Sequence, residues 1–281
     1  MSRAAVLLSA AVATLVFLMA LPAQAATHWV AIGSDHARAL DESQGLTTIV
    51  RPSGTQIRYT GVGTVPADVR ARGWDHVGDP DSVRGWYVEP YQRSDGGSKM
   101  FRTQAPDGTW SEYVHTLAPG EALNNSWDAI SVDGPWMLSG EWGTMDRLLG
   151  FATPGLNPAA VPGANLPIAF TVHLDHAVRD VQGCVFFSAR TLLCSSDDPA
   201  GELFGITKPL LQVDLARTPD GADLTGHVTA LQQLPLSSGC RGSFEVEGLD
   251  YNRSDGILRV IVMSPGICVV FDSKTWRFRQ G

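Results

Sequence analysis

The stretch NNSWDAISVDGPWMLSGEWGTMDRLLGFAT, residues 124–153, decides the fold. Residues 128–131 read as an inner strand and residues 132–134 as a tight turn. Residues 136–139 make a second strand. A connection over residues 140–146 leads to a third strand at residues 147–151. Aspartate and glycine between two apolar runs are the strongest short-range hairpin signal. Three short antiparallel strands in one such stretch make most of a β-propeller blade.

The rest of the chain repeats this plan more loosely. Glycine and proline are scattered throughout, and short apolar runs recur between them. After the N-terminal leader no segment keeps a helical period for three turns, which places the chain among all-β folds. Inner strands are expected to start at Gln44, His76, Asp128, Arg179 and Glu247, with spacings of 32, 52, 51 and 68 residues. Repeats of about 40–50 residues favour a propeller over a sandwich or barrel. The expectation is a five-bladed, disulfide-containing β-propeller, or six blades if the long fourth unit hides another. Further strands are read at residues 99–102, 110–114 and 210–215, with turns at 105–108 and 218–221. The last apolar runs are residues 267–271 and 275–278. The first run after the leader, residues 28–32, is expected to pair within the blade that the C-terminal units form, because ring closure removes exposed sheet edges. The Gly/Pro/Ala-rich segment 154–167 reads as a loop between blades.

The first 25 residues read as a secretory signal peptide. Arg3 supplies the basic start, residues 4–20 the apolar run, and Ala23-Gln24-Ala25 the small-x-small cleavage site. Residues 26–281 would then be one propeller domain, secreted and without a membrane anchor. Four cysteines remain in it, an even number that suits disulfides in an exported protein. The favoured pairing is Cys184 with Cys194 and Cys240 with Cys268, since each pair stays within one blade. The close C-x-x-C pairs of zinc sites are absent. The net charge is −8, with no basic cluster. Nucleic acid and anionic membranes are therefore poor candidates as partners, and none of either is expected.

The phrase ISVDGPWMLS, residues 130–139, resembles the s-x-D-G-x-x-h-h-s hairpin of WD40-like and related propellers. The phrases EVEGLDY, residues 245–251, and GILRV, residues 256–260, resemble the inner hairpin of secreted propellers related to esterase-like phytases and regucalcin-type lactonases. The resemblance covers a dozen or so residues per blade and implies the architecture. Propellers host many unrelated functions, and the lactonase metal ligands find no residue-by-residue match here.

If the five strand starts are aligned, Gln44, His76, Asp128, Arg179 and Glu247 face one mouth of the axial channel. Convergent polar groups in a concave site are the default binding or catalytic candidate. They would suit sugar hydroxyls, or general acid/base chemistry by Asp128 and Glu247 with His76. The plainer reading is a polar, water-filled channel wall. Asp75, Asp79 and Asp81 are closely spaced oxygen donors, for which calcium is the suited cofactor, although the EF-hand pattern is not matched. Aspartates at those positions equally cap turns. His173 and His176 with Asp175 form a weaker metal candidate, since on a strand the two histidines face opposite ways. Trp74 and Trp142, each beside glycine and charge, are the aromatics expected to be exposed for stacking on sugar rings, while the other aromatics fill the space between blades. Asn124-Asn125-Ser126 and Asn252-Arg253-Ser254 match the N-glycosylation triplet. Nucleophile-elbow, dinucleotide and Walker motifs are absent.

The function expected on these grounds is an extracellular binding module that takes a glycan or a protein at the channel mouth. The alternatives are a hydrolase or lactonase at the same mouth, assisted by calcium, and an assembly subunit of a secreted complex.

Overall fold

The computed structural model describes residues 28–93, 95–123 and 127–281. The segment expected to be a signal peptide and the triplet at 124–126 expected as a glycosylation acceptor lie outside the described residues. In chain order the elements are β1 (Trp29–His36), β2 (Gly45–Arg51), β3 (Gly54–Thr60), a 3-10 turn (Val62–Thr64) and α1 (Ala67–Ala71). There follow β4 (Trp74–Val77), β5 (Asp81–Val83), β6 (Trp86–Arg93), β7 (Ser98–Gln104) and β8 (Trp110–Thr116). The opening stretch supplies β9 (Ala129–Ile130), β10 (Trp136–Ser139) and β11 (Thr144–Ala152). After it come β12 (Phe170–Arg179), β13 (Val181–Ser188), β14 (Thr191–Ser196), β15 (Pro209–Leu215) and β16 (Leu224–Gln233). The chain ends with β17 (Glu245–Asn252), β18 (Ile257–Met263), helix α2 (Cys268–Phe271) and β19 (Lys274–Gln280).

The fold is all-β and has the cyclic order of a propeller. Strands β2 and β3 form a hairpin. Strands β4 and β5 both pair β6, which continues to β7 and β8. The meanders β9–β12 and β13–β16 join into one eight-stranded sheet, because β12 and β16 meet in parallel at Val172–Leu174 and Leu224–Gly226. The last sheet runs β17-β18-β19-β1, so the first described strand closes the last sheet. Trp29 pairs with Gln280 and His36 with Lys274, the closure expected from the sequence. Innermost strands touch in a cycle, β2 to β5, β5 to β9, β9 to β13, β13 to β17 and β17 back to β2.

Apolar side chains on the facing surfaces of neighbouring sheets make the core. One buried cluster contains Leu138, Leu148, Phe170, Phe186 and Leu211, between the β9–β12 and β13–β16 meanders. Another contains Leu193, Leu210, Val246, Val260 and Phe278 and includes Trp29 of the closing strand. Val88, Phe101, Met137 and Phe151 fill the next interface, and Leu46, Ile261 and Met263 a smaller one. The hairpin β2–β3 lacks outer strands, and Val65, just before α1, and Val69, within it, pack on Trp74, Val77 and Met100 instead.

Both disulfides pair as the sequence suggested. Cys184 and Cys194 face each other across β13 and β14. Cys240 and Cys268 tie the loop before β17 to α2. Two disulfides fit an oxidising environment, and no helix among the described residues is long and apolar enough to cross a membrane. The run at 267–271 is helical, not a strand. Gly266 sits at φ 57°, and the amides of Val269 and Val270 bond back to the carbonyls of Gly266 and Ile267, which winds the chain into α2. The turn leaves Ile267 and Phe271 at 70% and 71% exposure.

The centre of the ring is occupied by a side chain. Asp79 follows β4 and is completely buried. Its Oδ1 accepts the Leu46 amide of β2 at 3.0 Å, and its Oδ2 accepts the Leu249 amide of β17 at 3.1 Å. Its own carbonyl accepts the Asp128 amide at 3.2 Å. Gly45, Gly183 and Gly248 surround it, and a Cβ on any of them would overlap the Asp79 side chain. These glycines are required by close approach. Gly248→Ala is therefore expected to destabilise the protein by about 3 kcal/mol or more. Urea unfolding of the protein checks this, and a change below about 1 kcal/mol would contradict the central packing of Asp79.

Candidate functional site

The Asp79 plug separates two cavities. The first, of about 320 Å³, is lined by Gln44, His76, Gln92, Leu123, Trp142, Gln182, Glu245 and Glu247. It lies at the N-terminal ends of the inner strands: Gln44 precedes β2, His76 is on β4, Gln182 starts β13, and Glu245 and Glu247 start β17. The second, of about 240 Å³, lies at their C-terminal ends and includes Thr48, Asp81, Asp250 and Asn252.

At the first mouth the polar groups differ in what they offer. Three primary amides, Gln44, Gln92 and Gln182, supply both donors and acceptors. The Gln44 side chain donates to the Ser43 carbonyl at 2.9 Å. Burial lowers the His76 pKa, against the opposing charge of Asp75, so its imidazole is neutral at physiological pH. Glu247 is nearly buried, and burial raises its pKa well above the usual carboxylate range, with Glu245 and Asp197 adding to the effect. Glu245 is exposed at the rim. Trp142 stands 48% exposed on the loop between β10 and β11. That loop is braced on both sides of the ring: Glu141 makes a bidentate pair with Arg147, and Gly143 exchanges hydrogen bonds with Asp180. Trp142 is therefore held out by its neighbours.

Of the residues expected at this mouth, Gln44, His76, Glu247 and Trp142 are brought together. Asp128 and Arg179 are not. Asp128 is fully buried at the level of the Asp79 plug, because its amide bonds to the Asp79 carbonyl. Arg179 ends outer strand β12. Asp180, at φ 44°, turns the chain there, so inner strand β13 starts at Val181 and Gln182 takes the channel position. Arg179 pairs instead with Glu202 at 2.7 Å and Asp198 at 3.6 Å. Trp74 is 6% exposed and packs under the Arg93 guanidinium, so it is not a stacking surface.

The aspartates proposed for calcium serve the ring. Asp81 Oδ2 accepts the Ile130 amide of β9 at 2.7 Å, and Oδ1 accepts the Ser82 amide. Asp75 acts through its charge on His76. Among the described residues no group of three His, Cys, Asp or Glu side chains is disposed to hold a metal ion. Asp175, which flanks His173 and His176, binds His227 and the Val228 amide of the neighbouring strand. His176 packs on Phe204. The sequence reading missed Gln92, Leu123, Gln182 and Glu245. Glu245 was legible as the i−2 neighbour of Glu247 on a strand; Leu123 and Gln92 come from other elements and carried no signal.

A scan against protein-family models finds no matching family, and a search of curated proteins finds no match.

Asp128 is the least satisfied group near the axis. Both carboxyl oxygens are buried without a hydrogen-bond partner among the described residues. Burial raises its pKa well above the usual value, and the charges of Asp81 and Glu89 raise it further. The folded state therefore holds a proton that the unfolded chain releases, and stability falls as pH rises above the ordinary carboxylate range. Asp81, raised to about 7 by burial, acts in the same direction. Melting temperature is expected to decline from about pH 5 to about pH 8. Asp128→Asn should reduce that slope and melt about 2–4 °C higher than the parent at the upper pH. A lower melting point for the variant there would mean that the Asp128 carboxylate has a compensating partner.

Proposed function

We propose that the protein is a secreted carbohydrate-binding module and that a neutral saccharide occupies the first mouth. We count its sheet units as five blades, the first reduced to a hairpin. One observation carries the reading: an open cavity combines three planar amides and two carboxyl groups with an exposed, braced Trp142. Amides and carboxyls match the paired hydroxyls of a sugar, and an aromatic face stacks on its C–H surface. Among the described residues no arginine or lysine lines the cavity, so an anionic ligand would lack a counter-charge there. The volume falls at the small end of ligand pockets, roughly 300–1,000 Å³, and suits a short saccharide.

A second reading has its own support. Glu245 and Glu247 share the mouth in unlike surroundings, one exposed and one buried with its pKa raised. Carboxyls whose environments separate their ionisation are the pattern of glycoside hydrolysis, with the protonated one as acid. Glu247 would be that acid, and Asp128 has no part in it.

Calorimetric titration with neutral oligosaccharides tests the first reading. A binding sugar at about 100 times its Kd should stabilise the fold by about 2.7 kcal/mol. Trp142→Ala should weaken binding about tenfold or more. Saturable binding that ignores Trp142, or no binding across neutral glycans, would sink the proposal. Glu247→Gln separates the two readings by turnover: a binder shows none in either form, whereas a hydrolase loses it and still binds.

A further inference from the structure

The second mouth differs from the first in charge. Two arginines, Arg84 and Arg253, line it together with Asp81, Asp250, Asn252 and Ser254. Arg84 forms the turn between β5 and β6 with Gly85, and both have positive φ, 52° and 80°. Such two-residue turns favour Asn, Asp or Gly first, and arginine there is disfavoured. Two other non-glycine residues share this conformation among the described residues, and each is tied down locally: Asp180 accepts the Gly143 amide and Lys208 pairs with Asp197. Arg84 makes no hydrogen bond or ion pair among the described residues, and its Nη1 lies near Gly134 in the adjoining turn. Arg253 donates to the Phe186 carbonyl and has no carboxylate within ion-pair distance among the described residues. Among the described residues, a chain of net charge −8 thus leaves two guanidinium groups with no carboxylate at ion-pair distance at the rim of one cavity, the Arg253 charge reaching Asp81 only at longer range.

The acids beside them are committed elsewhere. Asp81 accepts the Ile130 and Ser82 amides. Asp250 accepts the Thr48 amide at 3.1 Å and the Thr48 hydroxyl at 2.6 Å, with Arg259 Nη1 at 3.7 Å. Arg259 is in turn paired with Asp255 at 2.8 Å. We propose that this second mouth is an oxyanion site, in which the Arg84 and Arg253 guanidinium groups take a carboxylate, sulfate or phosphate group of a ligand. Guanidinium forks match the planar or tetrahedral oxygens of such groups. Both neighbouring acids are raised by burial, Asp81 to about 7, so their repulsion of an anion fades as pH falls. Binding should accordingly strengthen from about pH 8 to about pH 6.

Sulfate is the probe, since its charge is constant over that range. The mature protein is titrated calorimetrically with sodium sulfate against sodium chloride of equal ionic strength. Saturable binding of one sulfate is expected, about fivefold or more tighter at the lower pH. Arg253→Gln and Arg84→Gly should each weaken it about tenfold. Arg84→Gly should leave the ligand-free melting point unchanged or higher, because glycine suits the turn. Trp142→Ala should leave sulfate affinity intact, which keeps this test separate from the sugar mouth. A second arm uses a sulfated disaccharide: tighter binding than free sulfate assigns the anion to a sugar, and equal binding assigns it to the free ion. No saturable binding at the lower pH, or affinity indifferent to both arginine variants, overturns the proposal.

Discussion

The structure depends on one carboxyl group placed where the inner strands converge. Strands that radiate from an axis splay apart, so their backbone amides cannot all reach a neighbouring strand. Asp79 fills that gap and accepts amides from β2 and β17 while its carbonyl takes the Asp128 amide. The same device recurs around the ring. Asp81 takes the Ile130 amide, Asp250 the Thr48 amide and Asp197 the Val246 amide. Each is a short side chain standing in for a missing ladder bond. Leaving those amides unpaired would cost about 1–3 kcal/mol each.

The cost of this arrangement is charge. Asp79, Asp81, Asp128 and Asp250 are all buried, and burial raises the pKa of each. A ring braced by carboxyls is therefore most comfortable when they are protonated. A second buried network balances the opposite way. Lys99 is fully buried between Glu121 at 2.9 Å and the Gly140 carbonyl, and His115 also reaches Glu121. Burial opposes ionisation of Glu121, but the His115 hydrogen bond and the Lys99 charge outweigh it and hold the pKa at about 2.

The plug also gives the molecule two unlike ends. Inner strands all begin at one mouth and end at the other, so each end collects a different set of side chains. One is rich in glutamine and glutamate, with Trp142 at its edge; the other carries Arg84 and Arg253. Closure by β1 keeps both ends in place, since Trp29 buries into the core shared by the last two sheets.

The sequence by itself determined the all-β class, the cyclic closure through residues 29–32 and both disulfide pairs. Those features rest on local signals: turn residues, short apolar runs and cysteines near each other along the chain. It also marked Gln44, His76, Glu247 and Trp142, because a strand start or an exposed loop aromatic is visible in a short window. Tertiary structure alone decided the rest of the site. A positive φ at Asp180 moved the channel position from Arg179 to Gln182, and a hydrogen bond from the Asp128 amide to the Asp79 carbonyl holds Asp128 in the interior. Whether an aspartate points at solvent, a metal or a neighbour's backbone depends on where other strands pass, and only the closed ring brings those strands together.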